Sequence, residues 1–255
     1  MLNLNNKVSI ITGASSGIGK ATAILFSKLG SDLVILGRDE KALDETISKC
    51  NTKTKIIKII GDVKRSEIQL KLVTECLTNF GKITTLVNNA AVFRLSSILN
   101  TKIEEYDEVM NTNLKSVLQL TQLCAPHLIK EKGTVINVSS IAGTKSFQNL
   151  LPYSMSKAAL DQFTKCVALE LADKGVRVNS VNPGTIETNI HRRAGYTEEQ
   201  YKTFLERCKT THALGRTGQP DEVANTIAFL ASDLSSFTTG EIIHVDGGRH
   251  AMTPR

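Results

Sequence analysis

Apolar residues in this chain follow two rhythms: short unbroken runs rich in β-branched side chains, and longer stretches where they recur every three or four positions. The first marks a strand buried on both faces, the second an amphipathic helix. The runs predict strands near 7–12, 32–36, 55–60, 84–88, 134–138, 176–181 and 242–245. The intervals predict helices near 18–29, 39–50, 66–80, 104–128, 154–173 and 220–231. Strands alternating with helices build a parallel sheet covered on both sides, so the expected fold class is α/β, a doubly wound sheet of Rossmann type. No repeat, low-complexity tract or Pro/Gly/Ser-rich linker divides the chain, and residues 1–255 are expected to form a single domain. The segment from about 185 to 219 breaks the alternation. It is polar, starts after Pro183-Gly184 and ends at Gly218-Gln219-Pro220. It reads as a partly helical excursion of the kind that serves as a substrate lid.

Composition narrows the class. With 255 residues and 41% hydrophobic content the chain can bury a large core. No apolar run is long enough to span a bilayer, residues 1–7 lack the apolar stretch of a signal peptide, and residues 252–255 are not a peroxisomal Ser-Lys-Leu. The five cysteines, Cys50, Cys76, Cys124, Cys166 and Cys208, are dispersed with no C-x-x-C. They read as reduced thiols of an intracellular protein, so a cytoplasmic location is expected. His127, His191, His212, His244 and His250 show no ligand spacing with them, and no metal is expected. The net charge of +6 raises the question of nucleic acid, but the lysines are spread along predicted helices, tryptophan is absent and aromatics make up 5%. A basic entrance that draws in a phosphorylated cofactor is the better use of the charge.

Two motifs carry chemistry. Val8-Ser9-Ile10-Ile11-Thr12 reads as a strand that enters Gly13-Ala14-Ser15-Ser16-Gly17-Ile18-Gly19, followed by a helix. Strand, glycine turn and helix N-terminus aim backbone N–H groups at an anion. The spacing is G-x-x-x-G-x-G, not the G-x-G-x-x-G dinucleotide fingerprint, and a turn in which glycine only relieves strain is the alternative. Further along, Tyr153 and Lys157 lie four residues apart at the start of a predicted helix, with Ser140 thirteen residues before the tyrosine. Positions i and i+4 share a helix face, so phenol and ammonium can address one spot. A cation about 4 Å away, in an effective dielectric near 20, favours phenolate by roughly 4 kcal/mol or roughly 3 pKa units. From an ordinary value of about 10 that brings the phenol near neutrality, where general acid–base catalysis is efficient.

Taken together, Thr12-Gly13-x-x-x-Gly17-x-Gly19, Asn88-Asn89-Ala90, Asn113, Ser140, Tyr153-x-x-x-Lys157 and Pro183-Gly184 resemble, in order and spacing, the short-chain dehydrogenase/reductases over essentially the whole chain. The resemblance is greatest to the carbonyl reductase and 3-oxoacyl carrier-protein reductase branch. Ala91 stands where the family usually has a glycine after Asn-Asn-Ala, which implies a slightly altered loop with activity retained. The resemblance implies that Ser140 hydrogen-bonds the substrate oxygen, with its neighbour Ser139 the competing candidate. It makes Tyr153 the general acid or base, and Lys157 the group that lowers the tyrosine pKa and holds the nicotinamide ribose. It assigns Asn113 a water that relays protons to Lys157; otherwise that residue is an ordinary helix amide. It further implies cofactor contacts from Gly13, Ser15, Ser16, Gly17, Ile18 and Gly19 in the phosphate turn. Asp62 and Val63 would meet the adenine, Asn89 and Ala90 would line the adenosine ribose and nicotinamide side, and Ile186 and Thr188 would hold the carboxamide and pyrophosphate. Asp62 also suits an ordinary turn aspartate.

The second strand separates NADP from NAD. An acidic residue at its end accepts from the ribose 2′-hydroxyl and repels a 2′-phosphate. Here Leu36 or Gly37 holds that position, and Arg38 follows, placed to bind a phosphate. Arg38 pairing with Asp39 or Glu40 is the competing use, and Ser16 lacks the basic residue that many NADP-dependent relatives carry. NADP is the expected cofactor, with NAD the alternative. The expected activity is hydride transfer between NADP(H) and a carbonyl or secondary alcohol, with 3-oxoacyl thioester reduction next. A cofactor-binding scaffold without catalysis is disfavoured by the complete Asn113, Ser140, Tyr153 and Lys157 set. Ala91, Val92, Phe93, Ile141, Phe147, Tyr196, Tyr201 and Phe204 predict a mostly apolar substrate pocket. The family resemblance also implies a homotetramer, assembled through the helices near 104–128 and 154–173 and the C-terminal strand. Small-molecule substrates are expected, without nucleic acid or membrane.

Overall fold

The computed structural model describes residues 2–252. Seven strands form one wholly parallel sheet in the order β3-β2-β1-β4-β5-β6-β7. They are β1 (Val8–Thr12), β2 (Asp32–Gly37), β3 (Ile56–Ile60), β4 (Thr85–Asn88), β5 (Thr134–Val138), β6 (Arg177–Pro183) and β7 (Ile242–Val245). Every predicted strand is present within two residues of its expected bounds. Helices α1 (Gly17–Lys28), α2 (Glu40–Ile47) and α3 (Ser66–Phe80) connect the first four strands. Helices α4 (Ile103–Met110), α5 (Ser116–Glu131) and α6 (Leu151–Ala172) serve the next two crossovers. The excursion after β6 carries α7 (Ile190–Arg193) and α8 (Glu198–Thr211), and α9 (Pro220–Ala231) leads back to β7.

Adjacent residues of a strand point to opposite faces, which is why β1, Val-Ser-Ile-Ile-Thr, is buried throughout and places an isoleucine in the core on each side. Ile11 packs into a core with Phe26 of α1 and Val223 and Ile227 of α9. Its neighbour Ile10 enters the other core, with Leu72 of α3, Leu120 and Leu128 of α5 and Ala168 of α6. Burying such side chains is worth roughly 1.5–3 kcal/mol each, so both layers are clamped to the sheet.

The stretch read as one helix over 104–128 is three pieces. Between α4 and α5 the backbone widens into a single π turn, Asn111–Lys115, centred on Asn113. Such turns insert one extra residue without breaking the helix and are frequent at functional sites. The excursion is tied off at its base, where Ile186 and Gly218 form a parallel bridge. There Gly218 N donates to Thr185 O at 2.9 Å and Glu187 N to Gly218 O at 3.0 Å. Among the described residues no helix is long and apolar enough to cross a membrane, and no group of three or more His, Cys, Asp or Glu side chains is arranged to hold a metal.

Candidate active site

Strand order reverses between β1 and β4, and the chain ends of those strands open a crevice at their carboxyl edge. A cleft of about 850 Å³ occupies it. Its floor is the glycine turn after β1. Gly13 and Gly17 have φ of +70° and +54°, a left-handed backbone that favours glycine. A Cβ on Gly13 would fall 2.8 Å from Asn89 Nδ2, and one on Gly17 would fall 2.9 Å from Thr188 Cγ2. The turn therefore needs glycine at both positions, beyond relief of strain.

Two neighbouring loops are locked to this turn. Thr12 Oγ1 accepts from the backbone N–H of Asn89 at 2.9 Å and of Ala90 at 3.0 Å. Asn89 Nδ2 returns to Thr12 O at 2.8 Å and Gly13 O at 3.2 Å. Asn89 thus spends its amide shaping the turn. Gly13, Ser15, Ser16, Gly17, Ile18, Arg38, Asp62, Val63, Asn89, Ala90, Ile186 and Thr188 all line the cleft, whereas Gly19 lies behind the turn and outside the lining. Asp62 Oδ1 accepts from Lys64 N at 2.9 Å, so it is the turn aspartate it resembles and faces the cleft as well. Asp39 does not pair with Arg38; it caps α2 by accepting from Ala42 N at 3.1 Å. Glu40 is held by Lys58 at 3.0 Å. Exposed Arg38 lines the cleft with no ion pair among the described residues.

The chemical end lies where β5 meets α6. Ser139 and Ser140 separate cleanly. Ser139 Oγ donates to Lys157 O at 3.2 Å and is buried, a structural bond to α6. Ser140 Oγ accepts from Ala142 N at 3.1 Å, and its carbonyl accepts from Asn182 Nδ2 at 2.9 Å. That fixes Ser140 against the cleft and leaves its O–H to donate outward. Tyr153 and Lys157 sit one turn apart in the first half of α6, both buried and both lining the cleft. The Lys157 ammonium lies 5.7 Å from the Tyr153 ring centroid and donates to Val138 O at 2.8 Å. Phe93 packs edge-on against Tyr153, with ring centroids 4.9 Å apart.

These surroundings correct the expected titration. Burial pushes the phenol up to about 12, partly opposed by the Ser140 hydroxyl. Burial also pushes Lys157 down to about 8, partly opposed by the charge of Asp161. Desolvation therefore decides the direction at the tyrosine, and the lowering toward neutrality expected from spacing is not what this geometry produces. Asp161 itself was not signalled by any motif, although it stands four residues beyond Lys157 on the same helix face. It is buried against Asn182 Nδ2 at 2.8 Å and Ser180 Oγ at 3.3 Å.

Asn113 lies outside the cleft lining. Its Oδ1 accepts from Val92 N at 2.9 Å, and its Nδ2 donates to Val92 O at 3.0 Å and Ser156 Oγ at 3.1 Å. The side chain is thus a clamp between the π turn, α6 and the loop carrying Val92, with no donor left for a water.

The substrate end matches expectation in part. Ala91, Val92, Phe93, Ile141, Phe147, Tyr196 and Phe204 line the cleft. Tyr201 does not; it is buried, with the Arg192 guanidinium 4.1 Å from its ring centroid. The wall also holds the basic residues His191, Arg193 and Arg207 and, from beyond β7, Arg249, which no sequence motif signals. Burial, with Arg249 nearby, pushes His191 down to about 4, so its ring is neutral.

Comparison with known proteins gives a consistent picture. Residues 13–250 match the family model described as Enoyl-(Acyl carrier protein) reductase. The chain is 38% identical over 249 residues to a 3-oxoacyl-(acyl-carrier-protein) reductase of Thermotoga maritima, covering 97% of this chain and 99% of the relative. It is 41% identical over 253 residues to an uncharacterized oxidoreductase of Bacillus subtilis, covering 98% and 86%. A solved short-chain dehydrogenase/reductase of unknown function from Caenorhabditis elegans, determined with cofactor, superposes with a TM-score of 0.91 at 36% identity, covering 98% of this chain and 97% of that one.

Proposed function

Since the chain belongs to the short-chain dehydrogenase/reductase family, whose members are oxidoreductases acting on CH–OH and C=O groups, we propose that it transfers hydride between NADP(H) and a ketone or secondary alcohol. The observation that carries this reading is the convergence of Ser140, Tyr153 and Lys157 at one end of a cleft whose other end is the glycine turn. The turn fits a dinucleotide, because Gly13, Ser15, Ser16, Gly17 and Ile18 line the cleft between the end of β1 and the N-terminus of α1, where backbone N–H groups suit a phosphate. When bound, the nicotinamide supplies a hydride to the carbonyl carbon or receives one from the carbinol carbon.

The chain's residues do the rest. In reduction the carbonyl π pair moves to oxygen, and Tyr153 gives its proton to that oxygen while the Ser140 O–H donates to it. Oxidation reverses each step. A phenol raised by burial is fully protonated at neutral pH, which suits the acid role. Lys157, pushed to about 8, is poised to resupply that proton and to hold ribose hydroxyls. Asn113 supports the site by clamping the Val92 loop to α6, its amide hydrogens being committed to Val92 O and Ser156 Oγ. Arg38 holds the 2′-phosphate of NADP; its lack of an ion pair among the described residues supports that use over the alternative, NAD. Residues 185–219 act as the substrate lid.

Tyr153→Phe tests the mechanism. The variant is expected to bind NADPH nearly normally and to lose about 10²–10⁴-fold in turnover, the usual worth of general acid catalysis. Near-normal ketone reduction by it would end the tyrosine mechanism. A second reading, 3-oxoacyl carrier-protein reduction, is favoured by the Thermotoga maritima relative. Arg193 and Arg207, exposed at the cleft, suit a docked acidic carrier. Arg192 and Lys209 are already paired with Glu198 and Glu206. Preference for an acetoacetyl thioester over a cyclic ketone would select it.

A further inference from the structure

Beyond Tyr153 the cleft runs along Phe147, which packs on the cluster of Phe93, Ala142 and Tyr153. The Arg249 guanidinium lies 4.8 Å from the Phe147 ring centroid and lines the same cleft. Arg249 is partly buried, and its single side-chain hydrogen bond among the described residues runs from Nη1 to Thr185 Oγ1 at 2.9 Å. It has no ion pair among them. The nearby acid, Asp246, is occupied by the backbone N–H groups of Gly248 and His250, at 3.0 and 2.6 Å, and by His250 Nδ1 at 2.9 Å. A guanidinium carries five N–H donors in a planar fork, so most of Arg249's remain to be satisfied.

The surroundings make that vacancy directional. Arg207 lines the cleft with no ion pair among the described residues, so a second positive charge faces the same space. The two repel, and Arg207 adds to the burial that lowers the Arg249 pKa. His191, in the same wall, buries Nδ1 with no hydrogen-bond partner. A partly desolvated cation without an ion pair is costly, and a carboxylate relieves it best, because its two oxygens match the fork. We propose that Arg249, with Arg207 at the rim, forms a carboxylate-binding subsite, and that the substrate is an oxo acid or the matching hydroxy acid. Its apolar spacer lies along Phe147, its carboxylate meets Arg249, and its carbonyl reaches Ser140 and Tyr153. The substrate part rests on the carbonyl reductase reading; the subsite itself does not.

Calorimetric binding to enzyme saturated with NADP⁺ tests the subsite without turnover. The probes are 4-acetylbenzoate and 6-oxoheptanoate, each against its methyl ester. At least one acid is expected to bind about ten-fold or more tighter than its ester, the loss of a charge-assisted bidentate pair accounting for the gap. Arg249→Gln, which retains a donor for Thr185, should collapse that ratio, and Arg249→Lys should restore part of it. Equal binding of acids and esters by the unaltered enzyme, or a ratio that survives Arg249→Gln, would overturn the subsite. Reduction is then assayed with NADPH and NADH. Acid preference in binding with no reduction of any probe would uphold the subsite and sink the reductase reading. Reduction of the esters without acid preference would do the opposite.

Discussion

Burying an ammonium next to a phenol moves both groups toward their neutral forms, and the pH dependence of folding should reveal it. Lys157 titrates near 8 in the folded protein against 10.5 ordinarily, so between those values the unfolded chain binds the extra proton. The Lys157 contribution to stability therefore rises with pH across that window, while the buried thiols of Cys76 and Cys124, raised by desolvation, act against it above about pH 9. Tyr153, raised from 10 to about 12, acts in the opposite sense, but only above pH 10. From pH 8 to 10 the gain belongs to Lys157. Urea unfolding should show the unaltered protein gaining stability over this interval relative to Lys157→Met, and parallel profiles would refute the assignment. Arg38 offers a second test at this scale. Arg38→Ala should raise the Michaelis constant for NADPH far more than for NADH, because only NADPH has a phosphate to lose. Equal effects would assign Arg38 to structure. The sequence made Ser140, Tyr153, Lys157 and the glycines legible because each belongs to a motif with fixed spacing. The direction of the Tyr153 shift was not legible, because charge proximity can be read from spacing whereas desolvation depends on Phe93 and the rest of the packed wall.

At the scale of elements, the interval 104–128 shows what periodicity can miss. Apolar spacing places a helix there correctly, but one inserted residue leaves that spacing nearly intact while rotating everything after it. The π turn at Asn111–Lys115 thereby turns Asn113 inward to meet Val92. Asn113→Leu fills the same space and strands the Val92 N–H, Val92 C=O and Ser156 hydroxyl contacts. A cost of about 3 kcal/mol is expected, the low end of about 1–3 kcal/mol for each group, because Val92 is only partly buried and Ser156 keeps its bond to Tyr153 O. Thermal or urea unfolding measures it, and a loss below about 0.5 kcal/mol, the range of an ordinary surface change, would show that the clamp is dispensable. Strands were legible almost to the residue, because a sheet buried on both faces favours apolar, β-branched runs, although in β6 only Val178 and Val181 carry that signal among buried Asn179, Ser180 and Asn182.

For the whole molecule, apolar side chains left in solvent are informative. α5 exposes Leu118, and α6 exposes Met155 and Leu169, the last 81% accessible. β7 closes the sheet with an unpaired edge. These are the elements through which a homotetramer is expected, and a second copy is the occupant that identical exposed faces fit. Sedimentation velocity should find a tetramer, and Leu169→Glu should yield smaller species. A monomer at micromolar concentration would rule the assembly out. Distance along the chain also explains what was missed in the cleft. Arg249 follows β7, far in sequence from Tyr153, and only the sheet's last crossover returns it to the site. The bridge between Ile186 and Gly218 has a further consequence. Because the excursion leaves and rejoins the domain at one stitch, its two ends are neighbours whatever lies between them. A segment from a relative can be grafted there without rerouting the sheet, provided that it keeps a residue like Thr188 against Gly17 and one like Ile190 against the Phe93 and Tyr153 cluster. Evolution then has a replaceable cassette, so new cleft walls can be sampled by recombination while the positions of Ser140, Tyr153 and Lys157 are inherited with the sheet.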